Sequence, residues 1–391
     1  MNRLALSRMV LFAATSVLPL ISAWNMAMAP SHPERQITIG PKLGGVTYDA
    51  PVELSWSSLR NGDFQKAVAS RVTDAFPLRP LLIRVNNEVR SELFGEVTAP
   101  HVVRGAKGNL IERSYLDDYC SRKEGMGLQL AAQIVPKMKE IQGYYRARGA
   151  VFIYLISPSK AAHVPEYFLD RIPCPSTPSA RTQLVPQYVE ALKAAGINVL
   201  DTASLIHSLK GKYEFELFPE GGVHWNDVGG AIAVSALVDE INRQAGEKIL
   251  PPFTFTYELS TARGADRELV DLLNLFFPPL GYLTPKVQFT PSMPCKDHPA
   301  RTLDIAMVGS SFGHLPARML IEQDCLWGLN FYYYAKLGRF GGPPYHEIER
   351  NLADADLARL RGAKVMILEE NESFVARSAY LDVLLNVLNG R

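Results

Sequence analysis

No glycine-rich phosphate loop of the GxxxxGK or GxGxxG type occurs in the 391 residues, and no HExxH or EF-hand pattern occurs either. A nucleotide cradle needs closely spaced glycines so that backbone N–H groups reach phosphate oxygens, and the common metal sites need ligands at fixed spacing. Their absence removes the nucleotide-dependent and common metal-dependent classes, so no cofactor and no metal is expected. Excess charge of one sign is missing too: 41 Lys and Arg face 40 Asp and Glu, a formal net charge of +1. That balance gives no electrostatic reason to expect nucleic acid as a partner. Cysteine is scarce, with Cys120, Cys174, Cys295 and Cys325 and no CxxC pair, and Cys295 with His298 is too isolated for zinc. Internal repeats and low-complexity tracts are absent as well.

What is present is globular: 47% hydrophobic and 21% charged residues, in a chain long enough for one large or two modest domains. Arg3 and Arg8 precede an apolar run from Met9 to Ala23, and Ala27-Met28-Ala29 has the small-x-small character of a cleavage site. Residues 1–29 therefore read as a secretory signal peptide. Pro30 after the cut and Trp24-Asn25 before it leave an uncleaved membrane anchor as the alternative. Either one exports the rest of the chain, where disulfides are permissible. Free buried thiols remain equally open.

Residues 30–100 read as an N-terminal extension with helices at 63–76 and 81–94. In the second helix Leu82, Val85, Val89 and Leu93 fall near one face. A hairpin follows, returning at Gly105-Ala106-Lys107-Gly108. From about residue 126 helices (128–148, 181–195, 227–244, 373–388) alternate with short apolar strands (151–156, 197–200, 303–308, 364–368). This alternation predicts an α/β fold, a mostly parallel sheet covered on both faces, over 101–391. Residues 247–302 are rich in proline and read as an insertion with one helix at 266–276.

Two stretches carry chemistry. Leu303–Val308 is a buried strand, Gly309 ends it, and a helix begins near Phe312. A serine there, Ser311, projects from the carboxyl edge of a sheet, where open α/β folds place ligands. Its N–H sits at a helix start, which suits a developing oxyanion. Ser310 and Ser311 also have the composition of helix caps. The second stretch, Phe218-Pro219-Glu220-Gly221-Gly222-Val223-His224-Trp225-Asn226-Asp227, is a turn-rich loop that delivers His224 just before a helix. A histidine base needs reach to its nucleophile and a third group to fix its tautomer. Weaker candidates are Ser310, Lys160 and Asn371 as substrate or oxyanion groups, and His314 as a rival base. Tyr332, Tyr333 and Tyr334 alternate as in a strand, as core or as an acceptor-side surface.

The order of these pieces resembles the SGNH hydrolase-like proteins of the alginate O-acetylation type, the AlgX/AlgJ-like family. The resemblance covers roughly residues 60–391. It rests on Phe64–Gly95, the Val102–Leu110 segment, Ser157-Pro158-Ser159-Lys160, His224-Trp225-Asn226, Gly309-Ser310-Ser311-Phe312 and Leu368-Glu369-Glu370-Asn371-Glu372. It implies a flavodoxin-like α/β/α sandwich, Ser311 as nucleophile and His224 as base. It also implies a periplasmic location, a polysaccharide acceptor and an acetyl donor supplied by a membrane-bound O-acyltransferase. Two positions depart from the family. Gly222 stands where an Asp commonly precedes the histidine by two residues, and Ser310 stands where Asp or Thr is common. Asp227, Glu220 or a backbone carbonyl is left to orient the imidazole, although Asp227 also suits a helix cap. The expected activity is O-acetyl transfer to polysaccharide hydroxyls. The alternatives are an acetyl-ester hydrolase using the same residues and a non-catalytic polysaccharide-binding subunit decayed at Gly222.

Overall fold

The computed structural model describes residues 16–29, 32–45, 53–279, 281–292, 302–322, 328–334, 338–339 and 352–390. Residues 1–15 of the signal-like segment, and Cys295, His298 and Cys325, lie outside the described residues. The chain divides into two units, residues 1–100 with 270–279, and residues 101–269 with 280–391.

The smaller unit contains α1 (Leu18–Met28), α2 (Asp63–Ala75) and α3 (Arg79–Phe94). The two expected helices form, but the apolar stripe of α3 does not face inward. Leu82, Val85, Val89 and Leu93 are each at least 46% exposed, while Arg84 and Asn87 are buried. Arg84 donates to the carbonyls of Lys42 and Leu275, and Asn87 to that of Leu273. Irregular backbone needs donors for its buried carbonyls, and here that demand decides the inward face. In α1 the buried Asn25 bonds the Ile37 backbone and the Ala75 carbonyl. Among the described residues no helix is long and apolar enough to cross a membrane.

In the larger unit β1 (Val102–Arg104) pairs antiparallel with β2 (Leu110–Glu112). The main sheet is built from β3 (Val151–Ser157), β4 (Val199–Asp201), β7 (Ile305–Gly309), β8 (Leu329–Tyr333), β9 (Gly338–Arg339) and β10 (Val365–Asn371). Between β4 and β7 in sequence lies a separate antiparallel hairpin, β5 (Phe253–Thr261) with β6 (Leu283–Pro291). The sheet order is β4-β3-β10-β7-β8-β9, parallel except for β9. The expected α/β architecture is therefore present. In the flavodoxin order the last parallel strand lies at an edge. Here β10, last in sequence, lies between β3 and β7.

Every residue of β3 and β10 is buried. Phe152, Tyr154 and Ile156 face one layer with Met366 and Leu368; Ile153 and Leu155 face the other with Val365 and Ile367. The first layer is closed by α4 (Met126–Arg146), α5 (Pro178–Ala194) and, near the C-terminus, Tyr380–Leu388. The second is closed by α6 (Asp227–Ala245) and His314–Glu322. A strand between two apolar layers has no polar face, which is why 151–156 and 365–368 read as apolar runs, with polar residues only at the carboxyl ends, Ser157 and Glu369 to Asn371.

The proline-rich insertion is a correction. Thr254-Phe255-Thr256-Tyr257 alternates as strands do, and the prolines Pro252 and Pro291 bound the hairpin rather than prevent it. The helix expected at 266–276 shortens to α7 (Glu268–Leu272). Cys120 and Cys174 form a disulfide across 54 positions. By chain entropy such a loop contributes about 4 kcal/mol.

Candidate active site

The carboxyl ends of β3, β7 and β10 lie together at one edge of the sheet, and Gly309 leads from β7 into the turn Ser310–Gly313. A Cβ at Gly309 would lie 2.7 Å from a carboxylate oxygen of Glu369, so no side chain fits there. Glu369, fully buried in β10, accepts from the Ser310 N–H at 2.7 Å and from the Ser310 hydroxyl at 2.9 Å. Burial pushes this carboxyl up in pKa, against the hydrogen bonds from Ser157 and Ser310. Ser310 is thus held from behind and caps the turn through Phe312 N–H at 3.2 Å. It does not face a substrate, contrary to its reading as an oxyanion group. The same pinning leaves Ser311 projecting from the turn.

His224 meets it. The Ser311 hydroxyl lies 2.8 Å from His224 Nε2, and His224 Nδ1 lies 2.7 Å from Glu268 Oε1. A carboxylate only accepts, so Nδ1 carries the proton and Nε2 is left to accept from the serine. The same Glu268 oxygen accepts from the Val223 N–H at 3.0 Å. Burial works against the Glu268 charge, but the hydrogen bond and charge of His224 hold its carboxyl below the usual range. Phe312 packs under the imidazole, ring centroids 4.6 Å apart.

The loop that delivers His224 is built around Lys160. This lysine follows β3, is fully buried, and donates to the carbonyls of Leu110, Pro219, Glu220 and Gly222 at 2.6–3.0 Å. Burial lowers its pKa to about 7, against the pull of Glu220 and Glu268. Lys160 is therefore a post beneath the loop, not a substrate ligand. Asn226 ends the loop, capping α6 through Gly229 N–H at 3.0 Å.

The expected orienting acids are elsewhere. Asp227 lies in the first turn of α6 and pairs with Arg318 at 2.8 Å; the cap is Asn226. Glu220 lends its carbonyl to Lys160 and to Leu110 N–H, and its carboxylate makes no bond to the imidazole. A carboxylate at position 222 is excluded by packing: a Cβ there would lie 2.5 Å from the Ala265 carbonyl oxygen and 2.8 Å from Pro219 Cγ. Asn371 donates to the Pro158 carbonyl and is 1% exposed, a structural role. His314 packs against Phe331 and Tyr333, each at 4.7 Å.

Sequence reasoning missed Glu268, Glu369, Glu112 and the place of Tyr334. Burial and the Glu268 charge push the half-buried Glu112 carboxyl up, while His224 and His101 pull it down, so this acid stands near the Ser–His–Glu line. Tyr332 is core and donates to the Asp356 carbonyl. Tyr334 is 47% exposed and stands beside Ser311, whose hydrogen-bonding groups oppose the rise that burial gives its phenol pKa. It adopts φ +43°, a left-handed conformation costly for a tyrosine. The segment 369–372, quoted whole in the resemblance, divides its work. Glu369 holds the serine turn, Glu370 accepts from Tyr154, Asn371 holds Pro158, and Glu372 accepts from His207 at 2.7 Å.

A family model described as the SGNH hydrolase-like domain of the acetyltransferase AlgX matches residues 115–318. That span is slightly more than half of the chain and contains His224, Glu268 and Ser311. Among solved structures the chain is similar to the O-acetyltransferase domain of Pseudomonas putida AlgJ, at 16% identity and TM-score 0.46, covering 75% of this chain and 100% of that one. It is similar to Pseudomonas aeruginosa AlgX at 13% identity and TM-score 0.45, covering 74% and 67%. Bacillus cereus PatB1 follows at 10% identity and TM-score 0.42, covering 70% and 96%. No curated protein sequence matches.

Proposed function

Because the chain belongs to the family of SGNH hydrolase-like domains typified by the acetyltransferase AlgX, we propose that it is an exported O-acetyltransferase that works through an acetyl-serine. The acceptor is a hydroxyl of a secreted or surface polysaccharide. The observation that carries the reading is the continuous line Ser311–His224–Glu268, with both links at 2.7–2.8 Å. His224 takes the proton from the Ser311 hydroxyl as that oxygen attacks the acetyl carbonyl. Glu268 keeps Nδ1 protonated and stabilises the imidazolium. The Ser311 N–H, at the start of a helical turn, is placed to hold the oxyanion. His224 then returns the proton to the leaving group, and the acceptor hydroxyl repeats the cycle in reverse. The carboxylate on His224 also speaks against a site decayed at Gly222.

Export agrees with the Cys120–Cys174 disulfide, since such bonds persist in oxidising compartments. The proposed place is the periplasm, soluble or tethered through the first 29 residues. The donor would come from a membrane-bound O-acyltransferase, because acetyl-CoA is cytoplasmic. Residues 101–391 are proposed as the catalytic domain and 30–100 as its extension. The test is mass spectrometry after incubation with an acetyl ester, with and without polysaccharide. An acetyl group on Ser311, absent from Ser311→Ala, is expected, and label should pass to the polysaccharide faster than to water. Equal ester turnover by wild type and Ser311→Ala would end the proposal.

A further inference from the structure

A cleft of about 520 Å³ opens beside the loop that carries His224. Glu220 and Asn226 of that loop line it and Ser311 and His224 do not, so it shares the loop with the reacting atoms without enclosing them. Aromatic faces form much of its wall: Tyr167, Tyr213 and Phe215 are only half-buried. Tyr213 and Phe215 stack at 5.4 Å and 25°, and Tyr257 braces Phe215 edge-on at 5.3 Å. The turn around Lys107 forms the rim. Lys107 is held at φ +53°, and its ammonium lies 5.2 Å from the Tyr167 ring.

The polar groups are unequal in sign. Among the described residues of the lining, three carboxylates (Glu214, Glu216, Glu220) face one cation, Lys107. Glu216 is fixed by Tyr167 at 3.2 Å and stands 3.7 Å from the buried His163. Rigid aromatic faces with a few convergent hydrogen-bonding groups suit a ligand that has flat apolar faces edged by hydroxyls. A sugar ring has that character. Surplus carboxylates repel a polyanion and accept hydrogen bonds from hydroxyl or ammonium groups.

From this arrangement we infer that the cleft holds the acceptor glycan, and that this glycan is built of neutral or amino-bearing sugars rather than uronic acids. The inference rests on the acetyl-transfer reading and names its substrate class. Binding is measured by calorimetry on the full chain carrying Ser311→Ala, so that no turnover occurs. The probes are cellohexaose, a glucosamine hexamer and a mannuronate hexamer. The first two should bind, and the mannuronate hexamer should bind at least about tenfold more weakly. Tyr213→Ala and Phe215→Ala should each weaken binding about tenfold without changing ester hydrolysis by the otherwise wild-type chain. Glu214→Gln with Glu216→Gln should narrow the gap between the neutral and uronate probes. Mannuronate binding as tight as the neutral probe, unchanged binding in both aromatic variants, or no binding of any probe would each overturn the inference. If the cleft binds glycans but the wild type transfers no acetyl group, the acetyl-transfer reading fails and the subsite stands. If transfer proceeds equally in Tyr213→Ala and Phe215→Ala, the subsite fails and the reading stands.

Discussion

Glu268 Oε1 lies 2.7 Å from His224 Nδ1, although 44 positions separate the two residues and no local motif joins them. The carboxylate comes from the first turn of a five-residue helix, on the far side in sequence of a β-strand. On the proposed reading it takes the orienting role that the resemblance assigns to an Asp two residues before the histidine.

Replacing this carboxylate tests the role. Glu268→Gln keeps the shape but lets an amide N–H face the imidazole, which favours the wrong tautomer. The expected loss in kcat is on the order of 10³–10⁴, with KM for an acetyl ester little changed. Steady-state kinetics with a chromogenic acetyl ester measures it, and a loss below tenfold would remove Glu268 from the mechanism.

Restoring the usual Asp at position 222 should fail. The Cβ of Gly222→Asp meets the Ala265 carbonyl oxygen at 2.5 Å and Pro219 Cγ at 2.8 Å, so the backbone at 265–266 or the proline ring must shift. A destabilisation of about 2 kcal/mol or more is expected, with lower rather than higher activity. Thermal melting and ester turnover on the same preparation distinguish this from a gain of function.

Lys160→Met removes the donor from four carbonyls. Buried acceptors left unpaired cost about 1–3 kcal/mol each before relaxation, so a large loss of stability and a displaced His224 loop are expected. The pH dependence carries a sign. The folded pKa is about 7, below the ordinary 10.5, so between those values the unfolded chain binds more protons. The contribution of Lys160 to stability therefore rises as pH climbs through that window, and methionine removes the slope. Denaturant melts of both proteins across the window supply the comparison.

Glu370 gives the opposite slope. Burial raises its pKa from 4.5 to about 7, so the folded state holds the proton longer than the unfolded one. Its contribution is fully present below pH 4.5 and is lost as pH rises to about 7, a change on the order of 3 kcal/mol. Glu370→Gln stays neutral and should abolish this loss, leaving the variant at least as stable as wild type at pH 8. Parallel urea titrations at low and high pH would show it; an unchanged pH profile in the variant would refute the assignment.

Sequence alone determined what depends on near neighbours. Helix and strand periods repeat within a few residues, so the α/β alternation, the Gly309–Ser311 turn and the His224 loop were legible before any contact was known. The apolar runs 151–156, 305–308 and 365–368 within β3, β7 and β10 announced burial on both faces. Tertiary structure decided everything that required the chain to return to itself. It inserted β10 beside β7 so that Glu369 could pin Ser310. It turned Lys160 under the loop, and it brought Glu268 to His224 from a segment whose prolines disguised a hairpin. Periodicity fixes which face of an element is apolar. It carries no information on which distant carbonyl or imidazole will need a partner, and that need is what placed the groups around Ser311.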